Sequence, residues 1–344
     1  MKQFIKVNKS SKLKGVIRSQ PEDFQVDEIQ QFVPSGIGEH VWLHIKKTGE
    51  NTDWVARQLA QLANVPRRDV SYAGMKDRNA VTTQWFSVQM PGREAPKWQM
   101  GLSENIEVLD EKRHDRKLRR GTLLGNQFKI TIQNFEGDEK ELIETVERIQ
   151  NQGIPNYFGE QRFGYIVDGC PSNITKAEQW FREGYRIKDR AKRSIYLSAA
   201  RSWIFNHILS ERISNGSWNQ AVEGDVFMLS GSKSCFSESI DENIVERVLQ
   251  QDIHPTGALW GRGRLSSQEK VAELENEQAQ EFSLLCEGLE KQGLKQERRA
   301  LRLAVKDLEF KRIKADLLQL SFSLPPGTYA TSVLAEIGVF SSSG

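Results

Sequence analysis

The feature that most constrains this chain is residues 73–88, where a short charged loop separates two segments that favour β-strands. Residues 70–73 predict a short strand, and residues 82–90, rich in Thr, Trp, Phe and Val, predict a second one. Asp77 therefore lies on the connection between them, near Gly74, which permits a backbone shape that other residues resist. An ionised aspartate in a rigid turn can act as a nucleophile or as a general base.

The same loop also has a simpler interpretation. Lys76 and Arg78 flank Asp77 in the chain, and an acidic residue between two basic ones is common in surface turns. Spacing alone therefore favours a surface turn over a catalytic loop, and the choice needs a longer signal.

A longer signal comes from several stretches that resemble, in the same order, the motifs of the TruD family of tRNA pseudouridine synthases. The stretches are PEDF at 21–24, GMKDRNAVTTQW at 74–85, GNQF at 125–128, PNYFGEQRFG at 155–164, AKRS at 191–194, LSAAR at 197–201 and LPPGTYATS at 324–332. The resemblance runs from about residue 15 to about residue 340. Several ordered motifs of this length are a specific signal, whereas any one alone is weaker.

The resemblance implies an isomerase that converts a uridine of tRNA, at position 13 of the family's substrate, into pseudouridine. It also implies that Asp77 is the catalytic residue. The N-glycosidic bond breaks, the uracil turns over, and its C5 joins the ribose C1′. Because the redox state does not change and no group is transferred, we expect neither a cofactor nor a metal. The sequence leaves open whether Asp77 attacks C1′ or removes a proton from C2′.

Five further residues are candidates for binding the target nucleotide. From the residues alone, Phe24 is more typical of a core, while Asn126 has the amide groups needed to read a uracil edge or to serve in a turn. The resemblance favours substrate contact for Phe24, Asn126 and Tyr329, and we add Phe128 and Lys76. The family often has Phe where this chain has Tyr329, whose ring can still stack on a base. The nucleotide would be flipped out of its stack.

Charge does not by itself indicate a nucleic-acid partner, since 48 basic residues oppose 46 acidic ones and the net charge is +2. An RNA site must therefore arise from local clusters. One cluster lies at residues 110–120, and another at residues 186–193, at the start of a predicted helix where acidic residues are preferred. The weaker candidates for RNA contact are Arg18, Arg116, Lys117, Lys192 and Arg193. A solvated charged surface is the alternative for each.

The first six residues lack the apolar core of a signal peptide, and no apolar run reaches the roughly 18 residues of a membrane span. The cysteines Cys170, Cys235 and Cys286 are far apart, and their odd number without a secretion signal indicates reduced thiols. We therefore expect a cytoplasmic protein without a membrane partner, and a monomer.

His40 and His44 do not predict a metal site, because on a strand they lie about 13 Å apart, too far for one ion. Residues 254–264 read as a Gly-rich basic loop without the third glycine of a dinucleotide fingerprint. We therefore expect no metal and no nucleotide cofactor.

The fold class predicted is α+β. The resemblance implies a discontinuous, pseudouridine-synthase-like catalytic domain of sheet and helices, formed by residues 1–152 and 307–344. Residues 153–306 are then an inserted TruD-type domain, which we expect to be mainly helical. Alternating apolar residues predict paired strands at 308–313 and 317–324, before a final helix.

Helical spacing in the inserted segment predicts helices at residues 174–183 and 189–214. An acidic helix at residues 268–292 is expected to face water.

Two other functions stay open on the sequence. A non-catalytic protein that binds or folds RNA would use the same basic clusters. An RNA glycosidase would pair Asp77 with a second carboxylate, such as Glu22 or Asp23.

Overall fold

The computed structural model describes residues 4–8, 11–31 and 33–342. These residues divide into two compact units. The sheet unit contains residues 11–31, 33–146, 305–330 and 338–342, and the middle unit contains residues 4–8, 147–304 and 331–337.

The elements of the first part of the chain are numbered in chain order. They are β1 (Lys14–Ile17), β2 (Phe24–Gln30), β3 (His40–Thr48), α1 (Thr52–Leu62), β4 (Val70–Tyr72), β5 (Val81–Gln89), α2 (Trp98–Gly101), β6 (Ile106–His114), β7 (Leu123–Glu136) and α3 (Glu139–Gln152). Short 3₁₀ helices lie at Pro21–Asp23 and Arg67–Asp69.

The middle of the chain mixes short strands with longer helices. Its elements are β8 (Ile154–Pro155), β9 (Ile166–Val167), β10 (Cys170–Pro171), α4 (Ser172–Glu183), α5 (Arg190–Ser214), β11 (Phe227–Leu229), β12 (Cys235–Phe236), α6 (Glu242–Leu249), β13 (Ile253–Leu259), α7 (Glu269–Glu281), α8 (Ser283–Lys291), β14 (Glu297–Ala300) and β15 (Arg302–Leu303). A 3₁₀ helix lies at Glu160–Phe163. The chain then continues through β16 (Lys306–Lys314), β17 (Leu317–Leu324), α9 (Ala330–Ile337) and β18 (Val339–Ser342).

The sheet unit is built on one mixed sheet, in the order β16-β17-β7-β2-β5-β3-β6. In addition, β4 pairs with β5, β1 pairs with β7, and β18 pairs with β1. Strands β2 and β5 run parallel, with Gln25 opposite Val81. Parallel strands begin at the same end of a sheet, so the segments that precede β2 and β5 come together there. This pairing places the loop that carries Asp77 beside the segment that carries Arg18.

The core of the sheet unit is built on one face of β3. Val41, Leu43 and Ile45 are buried and pack with Val55 and Leu59 of α1. Helix α1 is capped at its start, where the Asn51 side chain accepts a hydrogen bond from the Asp53 N–H at 2.8 Å.

The middle unit is less helical than predicted. Strands β12, β11, β13 and β14 form a four-stranded antiparallel sheet, and the predicted Gly-rich loop begins inside β13. A Cβ at Gly257 would lie 2.9 Å from Leu301, so the glycine permits close packing rather than a loop. The prediction was wrong because tertiary packing overrides the weak strand preference of His, Pro and Gly.

The single acidic helix predicted at residues 268–292 is two helices, α7 and α8, which divide at Phe282. It also does not face water throughout. Glu275 is fully buried, where it accepts hydrogen bonds from Arg298 at 2.8 Å and from the Ala258 N–H at 2.9 Å. A buried cationic partner reverses the usual preference of a glutamate for solvent.

The borders of the compact units lie elsewhere than the predicted domain borders. Residues 147–152 and 331–337 group with the middle unit, although the prediction assigned them to the catalytic domain. Within the middle unit, Glu336 of α9 accepts a hydrogen bond from the Asn8 N–H at 3.1 Å and lies 3.9 Å from Arg148.

In the part of the chain that the structure describes, every helix is too short or too polar to cross a membrane. The same residues contain no group of three or more His, Cys, Asp or Glu side chains that could hold a metal ion.

Candidate active site

The carboxylate of Asp77 lies at the surface of the sheet unit, on the loop between β4 and β5. Its side chain is 57% exposed, and Oδ2 accepts a hydrogen bond from Arg18 Nη2 at 2.9 Å. Arg18 adopts a φ of +59°, in the left-handed region that non-glycine residues seldom occupy. Such conformations cluster at functional sites because the surrounding structure must hold them in place.

Arg18 also covers a predicted site residue. Its guanidinium carbon lies 4.2 Å from the centre of the Phe24 ring, a cation–π contact. Phe24 is only 1% exposed, and its ring packs edge-on against Phe128, 6.2 Å away. The structure therefore brings Phe24 to the same place as Asp77 but leaves its ring beneath Arg18.

A buried lysine holds the Asp77 loop from the interior. Lys47 is fully buried, and its Nζ donates to the backbone oxygens of Glu50 at 2.7 Å and Asp77 at 2.9 Å. Burial lowers the pKa of Lys47 to about 8, mainly through the loss of hydration, which the nearby Asp77 carboxylate partly offsets. The ammonium group thus fixes the backbone on which the candidate catalytic carboxylate sits.

Three side-chain hydrogen bonds fix the first half of the loop. The Lys76 N–H donates to Thr52 Oγ1 at 3.1 Å, and this hydroxyl donates to Gln84 Oε1 at 3.0 Å. The Gln84 amide in turn donates to the Gly74 oxygen at 3.1 Å. Helix α1 and strand β5 therefore both anchor the loop.

The cations adjacent to Asp77 in sequence are directed elsewhere. Lys76 is nearly buried, and its Nζ lies 3.0 Å from the fully buried side chain of Glu28. Arg78 donates to the Gly49 oxygen at 3.4 Å. The interpretation of Asp77 as an acid between two flanking cations was therefore incomplete, because the ion-pair partner is Arg18.

The remaining candidates for substrate contact lie on β7 and after β17. Asn126 lies opposite Glu28 of β2 in the sheet. Glu28 is also the ion-pair partner of Lys76. The Oδ1 of Asn126 is buried and accepts no hydrogen bond from any residue that the structure describes. Phe128 is buried and stacks on Phe322 at 5.4 Å. Tyr329 follows β17 and is 39% exposed.

The weaker RNA-contact residues are exposed but dispersed along the chain. In the sheet unit, Arg116 is 83% exposed near Asp115, and Lys117 donates to the Arg68 oxygen at 2.7 Å. In the middle unit, Lys192 and Arg193 are exposed in the first turn of α5.

Lys47 and Glu28, the main buried charges of this site, were not predicted, yet the sequence carries a signal for both. Strand side chains alternate between the two faces. Lys47 shares its face with Val41, Leu43 and Ile45, and Glu28 shares its face with Phe24 and Val26. A charged residue in register with a core face indicates a buried charge that has a partner.

The chain has a mixed α+β fold, in which one loop that carries an exposed carboxylate is held by buried side chains. A family model described as tRNA pseudouridine synthase D (TruD) matches residues 3–168 and 172–337. The chain belongs to this TruD family.

Individual relatives agree with this assignment. A tRNA pseudouridine synthase D from Methylococcus capsulatus is 50% identical over 332 residues, which cover 96% of this chain and 93% of the relative. Another from Nitrosococcus oceani is 47% identical over 326 residues, covering 94% and 90%.

A solved structure shares the fold. A crystal structure from Methanosarcina mazei, described as a candidate tRNA pseudouridine synthase D (TruD), matches with a TM-score of 0.76 and 24% identity. The match covers 97% of this chain and 95% of that chain. At this identity the likeness supports the mixed α+β fold alone.

Proposed function

We propose that this chain, a tRNA pseudouridine synthase and hence an isomerase, converts a uridine of tRNA into pseudouridine with Asp77 as the catalytic aspartate. The observation that carries the proposal is the exposed Asp77 carboxylate on a loop fixed by Lys47, Thr52 and Gln84. Family membership supports the reaction, and position 13 of the tRNA is the target that the resemblance implies.

The reaction is balanced within the substrate. The bond from C1′ to N1 breaks, the uracil rotates, and a bond from C1′ to C5 forms. C5 then loses its proton, and N1 gains one. Asp77 begins this sequence either by attacking C1′ or by removing the proton of C2′. Either role requires an ionised carboxylate at a fixed position, which the anchored loop supplies.

Arg18 and Phe24 contribute a cover for the site in this proposal. With Arg18 in place, the ring of Phe24 is closed to a base. Stacking of the uracil on Phe24 therefore requires the Arg18 guanidinium to shift off the ring while Nη2 keeps its hydrogen bond to Asp77. Its other N–H groups are then available to a phosphate of the RNA.

Asn126, Phe128 and Tyr329 complete the proposed nucleotide pocket. The buried Oδ1 of Asn126 suits the N3–H donor of uracil. Phe128, itself buried, supports the ring of Phe24, and the exposed Tyr329 ring offers a stacking surface. Lys76 acts through Glu28 and the loop rather than by direct contact with the substrate.

The sheet unit is the catalytic domain in this proposal, and the middle unit is the inserted TruD-type domain. Arg116, Lys117, Lys192 and Arg193 contribute positive charge for the tRNA backbone. That the protein works as a monomer stays a prediction.

The glycosidase alternative is weakened by the position of its second carboxylate. Asp23 is 2% exposed and accepts hydrogen bonds from Gln133 at 2.9 Å and from the Gln20 N–H at 3.2 Å. Glu22 is exposed and remains available for comparison.

Asp77→Asn tests the catalytic assignment, because it keeps the shape and removes the charge. We expect a folded variant that binds tRNA and whose pseudouridine formation falls by more than about a thousandfold. Pseudouridine has the mass of uridine, so carbodiimide adducts read as reverse-transcription stops are the measurement.

Glu22→Gln is the matched control and should retain the stops. Near-normal stops from Asp77→Asn would exclude Asp77 from the mechanism. Release of free uracil by the unaltered protein would instead identify a glycosidase, and binding without any stop would identify an RNA-binding protein.

A further inference from the structure

The middle unit contains a cavity of about 600 Å³ that the proposed chemistry does not use. We call it the arginine cavity, since it is lined by Arg162, Arg190, Arg193 and Arg201. Its volume falls in the range of about 300–1,000 Å³ that is usual for pockets that hold small ligands.

One face of α5 forms a long side of the arginine cavity. The lining residues of this helix are Arg190, Arg193, Ser194, Leu197, Ser198, Arg201 and Ser202. They recur at intervals of three and four, which places them on a single stripe of the helix. Lys192, in the same turn, does not line the cavity.

The positive charge of the arginine cavity is only partly neutralised by the protein. The Arg190 side chain makes no hydrogen bond or ion pair with any residue that the structure describes, and Arg193 donates to the neutral amide of Gln292 at 2.9 Å. The lining residues include no carboxylate. Arg201 has one acidic partner, Glu297 at 3.0 Å.

The interior of the cavity is apolar, and hydrogen bonds hold part of its wall in place. Leu197, Leu259 and Leu294 line it as half-buried side chains. Arg201 donates to the backbone oxygens of Leu259, at 2.9 Å, and of Lys295, which holds this part of the wall in place. The cavity thus joins apolar side chains to a rim of exposed cations.

We propose that the arginine cavity binds one unpaired nucleotide of the RNA substrate. The base lies against the leucines, and its phosphate is bound by Arg190 and Arg193. This inference rests on the proposed action on tRNA and adds a second nucleotide site, separate from that of the target uridine.

The combination of surfaces favours a nucleotide over a bare anion. A free phosphate would leave the leucines unused, whereas a base presents two flat apolar faces and carries a phosphate beside them. The first turn of α5 does not provide the anion site by itself, because Asp189 already accepts hydrogen bonds from the N–H groups of Ala191 and Lys192. The guanidinium groups are therefore the phosphate donors.

Two double variants of the full-length chain test the phosphate contacts. Arg190→Gln with Arg193→Gln removes the cavity cations, and Lys176→Gln with Arg182→Gln removes the same charge from exposed residues of α4, outside the cavity. Both are made in Asp77→Asn protein, so that binding is measured without turnover. We expect the cavity pair to weaken tRNA binding at least about tenfold and to reduce the salt slope by about two. The control pair should weaken binding about threefold or less.

A third variant tests entry of the base. Ser194→Trp fills the cavity without changing its charge. The unaltered cavity should favour a single-stranded RNA over the same sequence in a duplex by about tenfold, and Ser194→Trp should abolish this preference while the salt slope is unchanged. Thermal unfolding establishes that each variant is folded.

Equal losses from the two double variants, or a single-strand preference that survives Ser194→Trp in a folded protein, would overturn the cavity site. If Ser194→Trp does not fold, the comparison of the two exposed double variants still decides the phosphate contacts. Absence of pseudouridine from reactions with the unaltered protein would refute the proposed function instead, and this is read in a separate assay.

Discussion

The Asp77 loop and the arginine cavity both concentrate charged side chains, but the charges are paired with each other at the loop and largely lack acidic partners in the cavity. In the sheet unit, Arg18 pairs with Asp77, and Lys76 pairs with Glu28. In the cavity, only Arg201 has an acidic partner, Glu297, among Arg190, Arg193 and Arg201. The Arg190 side chain has no partner among the described residues, and Arg193 has only an amide.

The contrast separates two uses of charge. Where each cation already has a protein partner, the charge fixes geometry, and a loop held to within a few tenths of an ångström suits bond-making. Where cations lack protein partners, a ligand must supply the negative charge, which suits binding. Variants that remove partners from the Asp77 loop should therefore alter turnover more than affinity.

The largest effect outside Asp77 itself is expected from Lys47→Met. The variant removes the donor that holds the Asp77 backbone oxygen, and a misplacement of about 1 Å costs about a hundredfold in rate. We expect kcat/KM for pseudouridine formation to fall about a hundredfold with little change in tRNA affinity. The free energy of unfolding should change little, because removing a buried cation offsets the loss of its hydrogen bonds.

Lys46→Met is the control for this variant, since Lys46 is exposed and pairs only with the exposed Glu107 at 3.4 Å. It should turn over tRNA normally. A Lys47→Met protein of normal activity would show that the loop needs no such anchor and would remove the contrast between the two regions.

A smaller effect is expected from Arg18→Gln, which removes the partner of Asp77. A hydrogen bond to a charged group contributes about 1.5–3 kcal/mol, so kcat/KM should fall about 10- to 100-fold. Arg78→Gln removes an equal charge next to Asp77 in sequence and should cost less than about threefold. If Arg78→Gln lowers kcat/KM more than Arg18→Gln, the cation adjacent to Asp77 in sequence, rather than its observed ion-pair partner, matters most for the activity.

The sequence predicts the elements of the sheet unit well, and the reason is local. Strand β17 alternates buried apolar and partly exposed polar residues, which specifies both the strand and its buried face. Strand β5 is instead marked by its β-branched and aromatic residues. The ion pair of Arg18 and Asp77 was not predictable in this way. It depends on the parallel pairing of β2 with β5, a contact between segments 59 residues apart.

The middle unit shows where local patterns fail. Strand β13 contains His254, Pro255 and Gly257, which disfavour strands, and its stability comes from packing that a local window does not contain. The charges of Arg190 and Arg193 were visible in the sequence. That Arg190 and Arg193 line the cavity while Lys192 does not was not predictable, because it depends on how α5 packs against the leucines of the cavity.

The smallest expected effect is a dependence of stability on pH. It tests the contrast between the two regions directly, because the difference between the unaltered protein and Lys47→Met depends on the titration of Lys47. Burial lowers the Lys47 pKa from 10.5 to about 8 in the folded protein. Below the folded pKa the group is charged in both states, so the native state bears the whole cost of burying the charge. Between the two pKa values the folded protein loses the proton while the unfolded chain keeps it, and stability therefore rises with pH across this window.

The free energy of unfolding of the unaltered protein, minus that of Lys47→Met, should rise by roughly 1–2 kcal/mol from about pH 7 to about pH 10, after allowance for partial hydration. Urea unfolding at constant ionic strength measures it, and titration of the other groups cancels in the difference. The same subtraction with Lys46→Met should be flat. A flat result for Lys47 as well would mean that the oxygens of Glu50 and Asp77 fully compensate its burial, so that the loop anchor stays charged wherever the protein is folded.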